Sequence, residues 1–431
     1  MRRFADPALR ESRRVHAEQR RQREGRPHEV LYFHQPDDPY SQLAAQALQP
    51  LLQRYDLVLR PKVVAAPTPI AIHEQDLWDA WAARDAAAIA PHHGLSFQPP
   101  SPPQPEALAL ARRVLLAEQQ PERFAELTSA VSAALSHSSI TALETLAAGV
   151  TLPSEAAAAQ QLADNFRLRH RLGHYLGAMF YYEGEWYWGI DRLHYLEARL
   201  DALGARRSGA PAGRSVPRAA LPATPTVAAD SPRLKLEFFP SLRSPYTHLS
   251  YARVQSLAQR YPVELVLRPV LPMMMRGVKA DRRKGQYILF DTQREAEHLG
   301  IAFGNLWDPF GKPILRAYSL FPWARDAGRG MEYLKAYSDA VWSQRVDAWS
   351  LQGLRQIVER AGLAWQEALK VLDSRDWEDE MERNVQDMLA AGSWGVPTLR
   401  LQGDTAQNDF TVWGQDRLWL MEAEIIRRLA L

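Results

Sequence analysis

The chain has no cysteine in 431 residues. That absence excludes a disulfide scaffold, a cysteine-ligated metal and any dithiol redox role for the protein's own thiols. No stretch approaches the roughly 18 apolar residues of a membrane span. There is no excess of one charge: 52 Lys and Arg against 50 Asp and Glu give a net charge of +2. Global steering toward nucleic acid or a membrane is therefore not implied. A phosphate-binding glycine motif and a nucleophile elbow are also missing. His170 and His174 have i, i+4 metal-ligand spacing, but no acidic or third ligand accompanies them, so no metal is expected. What is present is 46% hydrophobic residues, enough for two cores and too many for a disordered chain.

The first 28 residues stand apart. Arg2, Arg3, Arg10, Arg13, Arg14, Arg20, Arg21, Arg23 and Arg26 make a basic arm. It has no apolar core segment, so it does not read as a secretory signal, and Glu11, Glu18 and Glu24 argue against a transit peptide. A cytoplasmic protein is expected. The arm reads either as a solvated helix or tail, or as a contact for an acidic partner.

The rest of the sequence says one thing twice. Leu57-Val58-Leu59-Arg60-Pro61 returns as Leu265-Val266-Leu267-Arg268-Pro269, 208 residues on. Trp188-Gly189-Ile190-Asp191-Arg192-Leu193 returns as Trp413-Gly414-Gln415-Asp416-Arg417-Leu418, 225 residues on. Asp38-Pro39-Tyr40 and Ser244-Pro245-Tyr246, Gln53-Arg54-Tyr55 and Gln259-Arg260-Tyr261, and Gly94-Leu95-Ser96-Phe97 and Gly300-Ile301-Ala302-Phe303 are each 206 apart. A period near two hundred is a whole domain, not a solenoid unit. Residues 204–232 hold five prolines and no apolar periodicity, and read as a linker. The expected division is a basic arm 1–28, a first copy 29–203, the linker 204–232, and a second copy 233–431.

In the second copy, Leu234 to Phe239 predicts a strand. Ser244-Pro245 opens one helix running to Tyr261, with Ser as N-cap and Pro at the first helical position. Val263 to Leu267 predicts a second strand. Residues 280–390 are helical in pattern, with breaks near Trp307-Asp308-Pro309 and Gly362. Strands at Thr398-Leu399 and Phe410 to Trp413 follow, then a helix from Asp416 to Leu429. The first copy keeps this order. The fold class is thus α/β, two tandem thioredoxin-like domains, each with a helical insertion after a parallel, right-handed βαβ unit. Trp307, Trp323, Trp342 and Trp349 read as core.

Phe239 with Ser244-Pro245-Tyr246, Leu267-Arg268-Pro269, Lys284-Gly285-Gln286-Tyr287, Gly395-Val396-Pro397-Thr398 and Trp413-Gly414-Gln415-Asp416-Arg417-Leu418 run in order across nearly all of 233–431. This set resembles the DsbA-like branch that holds 2-hydroxychromene-2-carboxylate isomerases and kappa-class glutathione transferases. The resemblance implies glutathione as coenzyme, an aromatic or conjugated acid as substrate, and a first copy that replaces the partner subunit of the family's homodimers. It makes Ser244 the catalytic residue, its hydroxyl turned to the glutathione sulfur. On the residues alone, Ser244 reads more readily as a plain helix cap. Pro397 resembles the cis-proline of thioredoxin folds, which presents Val396 to the cysteinyl backbone of glutathione. Gln415 and Asp416 would meet the γ-glutamyl end, or fix the last helix. Lys284 would meet a carboxylate, or only solvent. The family's Asn-x-Pro-Pro-like segment is replaced by the shorter Met273 to Arg283, without asparagine. Its three methionines read as pocket lining or, more commonly, as core filler.

The first copy lacks these site residues. Asp38 stands at the Ser244 position, Ala178 at Pro397 and Trp78 at Lys284. A carboxylate can cap a helix but repels a thiolate. The first copy therefore reads as a scaffold, and the second as a glutathione-dependent isomerase or transferase. The alternative is a non-catalytic thioredoxin-fold binding protein with both sites degenerate.

Overall fold

The computed structural model describes residues 6–67, 74–99, 104–217, 219, 233–278 and 281–430. Residues 220–232 of the expected linker lie outside them. The described part of that linker is held on the first copy. Arg214 pairs with Asp201 at 2.6 Å and the Ser215 hydroxyl donates to Glu197 at 2.8 Å. Val216 is buried.

Each copy builds one four-stranded sheet. In the first, β1 (Glu29–His34), β2 (Val58–Val63), β3 (Met179–Tyr182) and β4 (Glu185–Trp188) lie in the order β2-β1-β3-β4. In the second, β5 (Leu234–Phe239), β6 (Val263–Leu267), β7 (Thr398–Leu401) and β8 (Phe410–Trp413) repeat it as β6-β5-β7-β8. The first pair of each sheet is parallel and the other pairs are antiparallel. The helical insert falls between the second and third strand of each sheet, as the sequence order requires.

Side chains repeat as well as strands. The Tyr40 hydroxyl donates to Asp85 at 3.0 Å and that of Tyr246 to Asp291 at 2.8 Å. Buried hydroxyls recur: Ser41 Oγ accepts from the Gln35 N–H at 3.1 Å, Thr247 Oγ1 from that of Ser241 at 3.4 Å. Asn165 and Asn384 each donate 2.9 Å bonds to the carbonyl of the residue before Val64 and Val270 respectively. Those residues are Val63 and Pro269, 206 apart. The chain carries the same fold twice.

The pairing register corrects one alignment. Tyr32 and Phe238, 206 apart, face Pro61 and Leu267, also 206 apart. The two Leu-Val-Leu-Arg-Pro segments, 208 apart, are thus two residues out of step in space. A slip of two leaves every side chain on its own face, so alternation could not reveal it. The change of offset from 219 at Ala178 and Pro397 to 225 at the tryptophans has a simple origin. The β3–β4 turn is Glu183-Gly184, both at positive φ (39° and 88°), a tight hairpin; the β7–β8 connection runs from Gln402 to Asp409.

Three other expectations change. The helix after Ser244 is two pieces, Pro245–His248 and Tyr251–Arg260. The Ser250 hydroxyl takes the Tyr246 carbonyl at 3.0 Å, competing with the backbone ladder at the break. None of Met273, Met274 and Met275 is buried, so they are not core filler: their short turn, closed by Gly277 at φ 84°, keeps them near the surface. Trp342 is core, whereas Trp349 is 41% exposed, under the Arg316 guanidinium.

The basic arm is a helix, Pro7–Arg23. Its Arg14 pairs with Glu185 at 2.6 Å, and Arg20 and Arg26 pair with Glu183 at 3.3 and 2.8 Å. The acidic contact is the chain's own β3–β4 hairpin.

Candidate functional site

In the second sheet the end of β5 lies beside the start of β7, because Phe239 pairs with Thr398. Trp413, the end of β8, pairs with the same Thr398. The turn after β5, the loop before β7 and the residues after β8 therefore meet at one end of the sheet. These segments carry Ser244, Val396-Pro397 and Gln415-Asp416.

Ser244 is half-buried and caps its helix, with Oγ accepting from the Thr247 N–H at 3.2 Å. Its own O–H has no acceptor among the described residues, so it can donate outward. The helix it opens has four residues, so its dipole is small support for an anion. The turn before it is fixed. The Leu242 N–H donates to the Tyr318 hydroxyl at 3.2 Å, and that hydroxyl donates to the Val270 carbonyl at 2.8 Å.

The Val396–Pro397 peptide is cis. The Pro397 carbonyl accepts from the Gly414 N–H at 2.9 Å, tying the loop to β8. Val396 packs on the cluster of Phe239, Val270, Val385 and Met388. Its own N–H and C=O are in no hydrogen bond among the described residues. Gly395 admits no side chain, since a Cβ there would lie 2.1 Å from the Trp413 ring.

Lys284 comes to this loop from the helix Arg282–Leu299. Its ammonium sits 5.2 Å over the Trp394 ring, which packs on Trp413 at 5.1 Å. Burial lowers its pKa to about 8, and no carboxylate pairs with it among the described residues.

Asp416 folds back over Gly414, where a Cβ would lie 2.4 Å from its Oδ1; Gly414 has φ 111°. Gln415 does not face outward. It is buried, its amide oxygen accepting from Arg253 at 2.6 Å and its nitrogen donating to Glu295 at 2.6 Å. Arg268 serves the sheet, pairing with the buried Glu237 at 2.9 Å. Ser244, Val396, Pro397, Lys284 and Asp416 are thus gathered at one end, and Gln415 is spent inside.

The first copy closes the same end with its own chain. Asp38 Oδ2 accepts from the Ser41 N–H at 2.9 Å and the Ser41 hydroxyl at 2.7 Å. Burial pushes its carboxyl up to about 6, against the pull of those Ser41 bonds. Ala178 occupies the Pro397 position, since Met179 pairs with Phe33 as Thr398 pairs with Phe239. Ala178 has φ 53°, and its N–H, which a proline lacks, donates to Ser41 Oγ at 2.9 Å. At Gly177, in place of Val396, a Cβ would lie 2.7 Å from the Gln35 Cβ and 3.1 Å from Asp38 Oδ2. Trp78 stacks on Trp188 at 6.4 Å where Lys284 stands in the other copy.

With this geometry in place, sequence comparison finds one family: the DSBA-like thioredoxin domain matches residues 235–425. Residues 235–425 form a DsbA-like thioredoxin domain. No curated protein matches the chain in sequence. Among solved structures, a 2-hydroxychromene-2-carboxylate isomerase is 21% identical, with 45% of this chain and 95% of that one covered at a TM-score of 0.38. A probable DsbA oxidoreductase from Streptomyces coelicolor is 18% identical, with 46% and 90% covered at 0.36. The cytosolic disulfide reductase DsbM from Pseudomonas aeruginosa, in a structure with GSH, is 19% identical, with 46% and 100% covered at 0.36.

Two features of the DsbA-like domain escaped the sequence. One is Tyr318, which anchors the Ser244 turn from 74 residues away. The other is Arg243, bound to Asp308. The first copy signals both by what it lacks at the same offset: Pro36, without an N–H, stands for Leu242, and Asp37 stands for Arg243. The chain has no described cluster of three metal-binding side chains. His174 is buried, its Nδ1 accepting from the Leu176 N–H at 3.2 Å.

Proposed function

We propose that the DsbA-like domain is a glutathione-dependent isomerase or transferase acting on an aromatic or conjugated acid. The observation that carries this is the set of unspent groups at one end of its sheet: the Ser244 O–H, the Val396 backbone and the Lys284 ammonium. The same end of the first copy is filled by Asp38, Gly177 and Trp78. The residues fit the tripeptide. Val396 would pair with its cysteinyl backbone as an added strand, Lys284 would hold a carboxylate, and Ser244 would donate to the sulfur. Bound there, glutathione would supply a thiolate nucleophile for reversible addition to a conjugated carbon, chemistry that needs no net oxidation. Ser244 favours the thiolate by hydrogen bonding to the charged form. With no cysteine in the chain, dithiol exchange is not the reaction. A cytoplasmic setting suits a reaction that needs the free thiol of the coenzyme.

One observation favours the alternative of a binding scaffold: Gln415 is taken up by Arg253 and Glu295. Calorimetric titration of glutathione into the full chain separates the two. One equivalent bound per chain supports the enzyme reading. No heat at millimolar glutathione leaves the scaffold.

A further inference from the structure

We infer that Arg243 is a positioning residue that sets the acceptor side of the site, holding Phe310 and Met274 as an apolar wall for an aromatic substrate one residue away from Ser244. This rests on the reading of the DsbA-like domain given above. Three segments meet at the one guanidinium. Its Nε and Nη2 donate to Asp308 at 2.8 and 2.9 Å, a fork-to-fork pair in which both side chains are about three-quarters buried (24% and 27% exposed). Asp308 also accepts from the Phe310 N–H at 3.2 Å, so the same carboxylate fixes the loop that carries Phe310. The guanidinium lies 4.8 Å over the Phe310 ring, and its Nη1 donates to the Met274 sulfur at 3.3 Å.

Phe310 and Met274 are 45% and 40% exposed, large apolar groups left open on either side of a neutralised cation. Exposed apolar side chains scattered singly need no explanation. Two of them pinned to the residue beside the proposed nucleophile-activating serine are a different matter. Met274 belongs to the short turn Met273–Arg276 that replaces the family's Asn-x-Pro-Pro-like segment. The turn that departs from the family's pattern is thus the one that brings a thioether to the guanidinium. The first copy, with Asp37 at this position, has no cation to organise such a wall.

The test uses the full chain with Arg243→Ala, Arg243→Lys, Asp308→Asn and the Arg243→Ala/Asp308→Asn double variant. Circular dichroism first establishes that each is folded. With glutathione and the aromatic electrophile chlorodinitrobenzene, Arg243→Ala and Asp308→Asn should each raise the acceptor KM about tenfold and leave the glutathione KM within about twofold. The double variant should be no worse than either single one, because both break one clamp. Arg243→Lys keeps the charge and loses the fork, so it should not rescue. An unchanged acceptor KM, or a glutathione KM that rises in parallel, overturns the inference. A second measurement separates its failure from that of the enzyme reading. Anilinonaphthalene sulfonate, titrated without glutathione, should bind Arg243→Ala about tenfold more weakly than the unaltered chain. If the unaltered chain binds no glutathione yet this loss is seen, the wall stands and the enzyme reading falls. If probe binding is unchanged, the wall is wrong.

Discussion

The two copies share the same anchors and differ in what they leave open. Tyr40–Asp85 and Tyr246–Asp291 tie helix to helix in both, and Asn165 and Asn384 tie a helix of each insert to the backbone at or just after the second strand. At the functional end the first copy ties Asp38, Ser41 and the Ala178 N–H to one another. Ser41 Oγ accepts two backbone N–H groups and donates to Asp38. The second copy has Thr247 in the place of Ser41 and a proline in the place of Ala178, so one of those donors is absent. A buried hydrogen-bonding group without a partner is costly. The second copy instead leaves several half-exposed polar groups without a protein partner among the described residues at one sheet end, where a ligand could use them. On the proposed reading, a duplicated domain that gives up its site closes it with hydrogen bonds and keeps its fold.

The sharpest way to break this comparison is to alter the two caps in parallel. Ser244→Ala should lower glutathione-dependent turnover about a hundredfold, the scale of removing one donor from a developing anion. Asp38→Ala should leave turnover unchanged. Each should cost about 0.5–2 kcal/mol of stability, since each removes a cap. Steady-state kinetics and denaturant melts check both. Equal activity in the two variants would favour the scaffold reading.

A smaller effect is expected at Lys284. Its cationic form is the one that can hold a ligand carboxylate, and burial has lowered its pKa to about 8. Glutathione affinity should therefore fall as pH rises through about 8, and binding near that pH should take up a proton. Lys284→Met should weaken binding about tenfold near neutral pH and abolish the proton uptake. Calorimetry in buffers of different ionisation heat reads both. A pH-independent affinity would place Lys284 outside the binding surface.

How much of this was legible follows from what a repeat can show. Residue types at matching offsets gave the fold and the strands, because hydrophobic period and turn chemistry are local, and the family resemblance gave the five residues gathered at the site. The two-residue slip of β2 and β6 was not legible, since alternation has period two. Tyr318 and Asp308 were not legible either: their partners are the backbone of Leu242 and the side chain of Arg243, contacts that only the tertiary fold creates. Which of its two expected roles Gln415 takes was not legible for the same reason. Its neighbours Arg253 and Glu295 lie on other elements, and sequence gives no hint that they converge on it.

Two further tests sharpen the comparison at lower amplitude. Gly395→Ala should destabilise the second copy by about 1–3 kcal/mol, because its Cβ would overlap the Trp413 ring and force the loop before Pro397 to move. Hydrogen exchange across β7 and β8 should rise while that of β1 to β4 stays as it is. Protection lost equally in both sheets would mean that the two copies unfold as one unit.

The last test concerns the closed end of the first copy. Asp38 has its carboxyl pushed up to about 6 by burial, from an ordinary 3.8. Between those values the folded chain holds a proton that the unfolded chain has released. Stability contributed here must then fall as pH rises from about 4 to about 6, and level off above that. The sign is opposite to that of a salt-bridged carboxylate. Asp38→Asn still caps the helix but cannot titrate, so it should remove the slope and keep the closure. The amides of Tyr40 and Ser41, which donate to this carboxyl, report it directly. The ratio of their exchange rates in the unaltered and Asp38→Asn chains should rise between about pH 4 and pH 6 and then stay constant. A ratio flat across the whole range would mean that Asp38 is ionised throughout, and that the first copy presents a charge in place of a closed cap.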